Sequence, residues 1–143
     1  MTQEEKELLL KDLCARLPYG VKAQIRRTSL NLNKPVIVDL PIKGVINFAS
    51  TDSVITVTEE GEIDYDITDN CKPYLRPLSS MTKDELKELG NYLSTETFVS
   101  IDGLFPVLRA QRHTTNFLYS RHLDVLGLIE KGLALEAPED MYK

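Results

Sequence analysis

The chain has 143 residues, 42% of them hydrophobic and 27% charged, with seven Gly, seven Pro and a net charge of −5 from 17 basic and 22 acidic side chains. This length suits a single domain, residues 1–143, folding on its own apolar core, and the composition excludes a disordered or collagen-like chain and a membrane-spanning helix. The acidic balance argues against broad adhesion to a nucleic-acid backbone and leaves room only for a local basic face.

Thr2 and Glu5 have the spacing of a capping box, so a helix is expected over residues 3–16, with Leu9, Leu10, Leu13, Cys14 and Leu17 as its apolar stripe and Pro18-Tyr19-Gly20 as its stop. From Val21 the period becomes two: Val21, Ala23 and Ile25 alternate with Lys22, Gln24 and Arg26, as in a half-buried strand. Val36-Ile37-Val38, Val45-Ile46-Asn47-Phe48, Val54 to Thr58 and Ile63 to Ile67 continue as short strands broken by Pro41, Gly44 and Asp52. Gly61 in Glu59-Glu60-Gly61-Glu62 supplies the positive φ of a tight hairpin, so the strands on either side should pair antiparallel. Tyr74-Leu75, beside Pro73 and Pro77, reads as a last edge strand.

Thr82 and Glu85 repeat the capping box and start a helix over 83–94 with Leu86, Leu89 and Leu93 on one face. The stretch 95–111 holds at most one short strand. Thr115 or Asn116 should cap a helix carrying Phe117, Leu118 and Tyr119, Asp124 a second short one up to Gly132, and Ala137-Pro138-Glu139-Asp140 reads as a tail. A helix, a run of strands and then helices make an α+β fold: an antiparallel meander or a partly closed barrel with helices on one face.

No P-loop, GxGxxG, HExxH, GxSxG or paired CxxC motif occurs, so no cofactor is expected and no reaction class is named. His113 and His122 stand nine positions apart, the wrong spacing for a shared metal face, and read as surface or capping residues. Cys14 and Cys71 read as free thiols of a reducing cytoplasm, with Cys71 beside Lys72 as the sole nucleophile of interest. The acidic N-terminus lacks the character of an export signal, so the expected location is cytoplasmic.

Residues 52–70 carry seven acids and no base; Asp64 and Asp66 flank Tyr65 and should form the solvated face of their strand. Two stretches have the opposite sign: Lys22, Arg26, Arg27 and Lys34, and then Arg109, Arg112, His113, Arg121 and His122, which together offer contacts for an anion or a partner.

Three strings, Ala15-Arg16-Leu17-Pro18-Tyr19-Gly20-Val21, Lys72 to Thr82 (KPYLRPLSSMT) and Gly127 to Ala134 (GLIEKGLA), resemble an uncharacterised family of small proteins encoded by anaerobic gut bacteria and their phages and prophages. In that resemblance, relatives carry Trp where Phe117 stands and Arg where Leu126 stands. It implies a genomic setting and a cytoplasmic location, and transfers no functional residue. The residues alone favour a non-enzymatic accessory protein that binds another protein or itself, with the acidic hairpin at Gly61 and the basic 109–122 segment as contact surfaces. The alternatives are a nucleic-acid-binding regulator working through Arg109, Arg112, Arg121, Arg26 and Arg27, and a hydrolase or transferase assembled from His113, His122, Asp102 and Cys71.

Overall fold

Helix α1 (Gln3–Arg16) begins at the expected box: Glu5 N–H donates to Thr2 Oγ1 at 3.1 Å and Thr2 N–H to Glu5 Oε2 at 2.7 Å. It ends through a 3-10 turn at Gly20, whose φ of 73° only glycine adopts without strain. Its buried stripe differs from the expected one. Leu9, Asp12, Leu13 and Arg16 face inward and Cys14 is exposed, because Arg16 and Asp12 neutralise each other inside. The computed structural model describes residues 1–28, 34–48, 50–58, 60–96 and 113–142. The expected short strand within 95–111, together with Asp102, Arg109 and Arg112, lies outside the described residues beyond Glu96.

Among the described residues six strands come after α1: β1 (Lys22–Thr28), β2 (Pro35–Phe48), β3 (Thr51–Val57), β4 (Ile63–Ile67), β5 (Cys71–Leu75) and β6 (Leu135–Glu136). They form one sheet in the order β4-β3-β2-β1-β5-β6, antiparallel except for the β5–β6 pair. With helices at both ends of the chain, the fold is α+β. The sheet is open, with β4 and β6 as its edges, and does not close into a barrel.

The two runs expected on either side of Pro41 are one strand of 14 residues. Pro41 sits at a changeover: β2 pairs with β1 up to Lys22↔Pro41 and with β3 from Ile42↔Thr56, so the missing N–H interrupts the middle of neither ladder. A bulge between Ile42 and Gly44 bends the strand there. A Cβ on Gly44 would stand 3.2 Å from Ile55 Cδ1, so a larger residue there would require the Ile55 side chain to shift by a few tenths of an ångström. Thr58 and Glu62 close the β3–β4 hairpin as expected, with Gly61 at φ 87°.

β5 is an interior strand and not an edge. Pro73 is tolerated because Leu75 C=O, two residues on, faces β6 and accepts from Ala137 N at 2.7 Å; by alternation Pro73 faces the same side, just before the β6 pairing starts at Tyr74. Residues 137–140 are therefore not a loose tail.

The core lies between the sheet and α1: Leu9, Leu13, Val21, Ala23, Ile25, Ile42, Val54, Cys71 and Leu75, closed by Leu128, Leu133 and Ala134. Helix α2 (Lys83–Glu96) starts at the Thr82–Glu85 box, but Leu86 is exposed instead of packed. Helix α3 covers 113–120 and so starts before its expected caps Thr115 and Asn116. Asp124 caps as expected, accepting from Leu128 N and Ile129 N at 2.7 and 3.0 Å. Residues 125–132 nevertheless form a series of turns and not a helix, because Gly127 enters the left-handed region at φ 69°. Among the described residues no helix is long and apolar enough to cross a membrane.

Candidate interaction surfaces

Arg76 leaves the end of β5 and gathers three segments. Its backbone N–H donates to His122 O and its C=O accepts from Asp124 N, both at 2.8 Å. Its guanidinium grips Glu85 with two bonds of 3.0 and 2.7 Å and donates also to Ser80 O and Arg121 O. The fork of Arg76, assisted by the Thr82 N–H, holds the Glu85 carboxyl down at about 2.

His122 takes a φ of 59°, and its ring stacks on Tyr142 at 3.7 Å and 11°. Burial, followed by the positive charges of Arg16 and Arg76, holds its imidazole down at about 4, so the ring is neutral; its buried Nδ1 has no hydrogen-bond partner. Tyr142 enters between two strands where the β1–β5 ladder stops at Ala23↔Pro73: its hydroxyl accepts from Lys22 N at 3.1 Å and donates to Tyr74 O at 2.7 Å. Behind His122, buried Arg16 holds Asp12 at 2.7 and 3.0 Å, donates to Leu123 O and lies 4.8 Å from the centre of the Tyr119 ring.

Arg76, Glu85, Ser120, Arg121, His122 and Tyr142 line a cleft of about 630 Å³ at this end of the sheet. Of the residues singled out in the sequence, Arg121 and His122 reach this cleft. Arg121 is shared with Glu88 at 3.4 Å, and the Ser120 hydroxyl donates to Phe117 O at 2.7 Å. His113 is exposed on α3. Cys71 is sealed in the core, where burial pushes its thiol up to about 12, so it is neither ionised nor joined to His122. Among the described residues no three His, Cys, Asp or Glu side chains cluster as metal ligands.

Arg27 and Arg121 do not converge. Extending the β1–β5 register places Arg76, and Arg121 with it, opposite the Gly20 end of β1, whereas Arg27 is at the other end, about 20 Å away along the strand. Arg27 is also taken: it grips Asp66 at 3.0 and 2.7 Å and reaches Asp64 at 3.5 Å.

That grip inverts the expected polarity of β4. Asp64 and Asp66 lie on the same side of the sheet as Val54, Thr56 and Arg27, which turns Ile63, Tyr65 and Ile67 to the other side. Ile63 is 58%, Tyr65 64% and Ile67 41% exposed. Register continues this apolar strip through Val57, Ile55 and Ile46, all half-buried. Among the described residues β4 is also a free edge. The Thr58 N–H to Glu62 O bond marks a bonded pair, so alternation makes Thr56–Asp64 and Val54–Asp66 bonded pairs and directs the N–H and C=O of Ile63 and Tyr65 away from β3. This surface was missed in the sequence, although the isoleucines and tyrosine at 63, 65 and 67 are its signal.

No family model, curated protein or solved structure matches the chain.

Proposed function

We propose that the chain is a non-enzymatic protein-binding module that docks a partner protein on β4. The observation carrying this reading is the exposed row Ile63, Tyr65 and Ile67 on a strand whose outer backbone groups have no neighbouring strand among the described residues. Soluble proteins usually blunt such edges or turn charge outward on them, and an apolar face of this kind fits an interaction site. The resemblance to small phage- and prophage-encoded proteins fits an accessory role in the bacterial cytoplasm, where a small domain acts by occupying a partner.

A photo-crosslinking residue placed at Tyr65, and separately at exposed Lys131, tests the reading in cells that express the chain. Position 65 should give an adduct of discrete mass that Ile67→Asp removes, and position 131 should give none. Absence of an adduct at 65, or an adduct indifferent to Ile67→Asp, refutes the reading.

A further inference from the structure

The geometry points to one occupant for the β4 edge: an extended segment of a partner protein in which apolar residues alternate with Lys or Arg, added antiparallel as a seventh strand. This rests on the protein-binding reading above and names the chemistry of what is bound.

The backbone supplies the attachment. Ile63 and Tyr65 direct N–H and C=O to the free edge, the pattern that an incoming strand pairs with. An added strand then places its own side chains in two rows. One row meets Ile63, Tyr65 and Ile67 and must be apolar. The other stands beside Asp64 and Asp66, at the narrow pairs where facing side chains come closest.

The charge of that second row decides the occupant. Among the described residues Asp64 and Asp66 share a single cation, Arg27, and the Asp64 side chain remains 45% exposed. Glu60 and Glu62 in the adjoining turn are exposed and add to the negative field. A basic side chain in the second row completes the pairing; an acidic one is repelled. A second copy of this chain is disfavoured by the same rule, because antiparallel pairing about Tyr65 sets Asp64 of one copy against Asp66 of the other. The two carboxylates therefore exclude self-association and admit a strand of opposite charge. Edge protection alone accounts for Asp64 and Asp66 pointing inward, but not for a tyrosine and two isoleucines pointing out.

The test titrates the isotope-labelled full chain with a ten-residue peptide built around Val-Lys-Val-Lys-Val, following amide resonances and heat. Its Val-Glu-Val-Glu-Val counterpart and a Lys peptide N-methylated along one edge serve as comparisons. The Lys peptide should shift the Ile63 and Tyr65 amides and bind about tenfold more tightly than the Glu peptide, a gap that closes in ~1 M salt. The methylated peptide should not bind. Asp64→Lys, at a side chain exposed enough to tolerate the change, should shrink or reverse the preference; Tyr65→Asp should abolish binding while the rest of the spectrum is retained.

Equal binding of the Lys and Glu peptides overturns the basic occupant while leaving the docking surface standing. Binding of neither peptide overturns the strand-addition proposal, and the crosslinking result then decides the protein-binding reading by itself. Self-association of the chain abolished by Tyr65→Asp also overturns it, by showing that a second copy is the occupant.

Discussion

Replacing Glu85 with Gln removes one negative charge at the point where Arg76 holds the 3-10 turn at Leu78–Ser80, the start of α2 and the end of α3 together. The Glu85 side chain is only 13% exposed and that of Arg76 24%, so solvent screens the pair little. The Glu85 carboxyl is lowered from 4.5 to about 2, first by Arg76 and then by the Thr82 N–H. At about 1.4 kcal/mol for each tenfold change in proton affinity, the ionised state contributes roughly 3 kcal/mol to folding. For a carboxyl with a lowered folded pKa, this contribution is complete above pH 4.5 and is lost as pH falls towards 2. Glu85→Gln should therefore be about 2–3 kcal/mol less stable than the parent at pH 7, with the difference disappearing near pH 2. Urea unfolding followed by circular dichroism at pH 7, 4.5 and 2.5 measures both quantities. A difference under about 0.5 kcal/mol at pH 7, or an equal loss at pH 7 and pH 2.5, refutes the assignment of the clamp to ionised Glu85.

Two further predictions concern the same end of the sheet. His122 is neutral when folded and titrates near 4, so its contribution is present above pH 6.5 and is lost as pH falls to 4; in His122→Asn, a residue that also tolerates positive φ, the stability profile should be flatter over that window. A resonance assigned to the His122 imidazole that titrates near 6.5 in the folded chain contradicts this. Asp12→Leu or Arg16→Met alone should cost about 3–5 kcal/mol because each strands a buried charge, whereas the two changes combined should cost less than either alone; additive losses in that cycle would falsify the pairing as the reason for both residues.

What could be read in the sequence was local. Both capping boxes, the Gly20 stop and the Gly61 hairpin form where expected because their partners lie within four residues. The alternation of β4 was also legible, but alternation defines two faces without saying which turns inward. That choice was made by Arg27, 37 and 39 residues earlier in the chain, whose fork draws Asp64 and Asp66 to its side of the sheet. The α1 stripe failed for a related reason. Asp12 and Arg16 share the face of Leu9 and Leu13, and their i,i+4 spacing was the available signal of an internal pair. Tyr142 gave no local signal: its role depends on a gap between Lys22 and Tyr74 that exists only once the sheet has formed.

The two sheet edges are treated differently, and that asymmetry ties the fold to the proposed function. β6 is two residues long, pairs in parallel, and is followed after Ala137 by Pro138, which has no N–H to offer. Such an edge cannot template another strand. β4 has five residues, no proline and an exposed apolar outer face. Among the described residues its protection is the pair of carboxylates turned towards Arg27, and that protection is selective by charge. An edge closed to every strand needs neither exposed Tyr65 nor a second carboxylate sharing one arginine; an edge open to one class of strand needs both. On the proposed function, the net negative charge left after Arg27 is satisfied is the feature that would separate a guarded edge from a binding edge, and Asp64, the more exposed of the two carboxylates, is the residue on which that distinction turns.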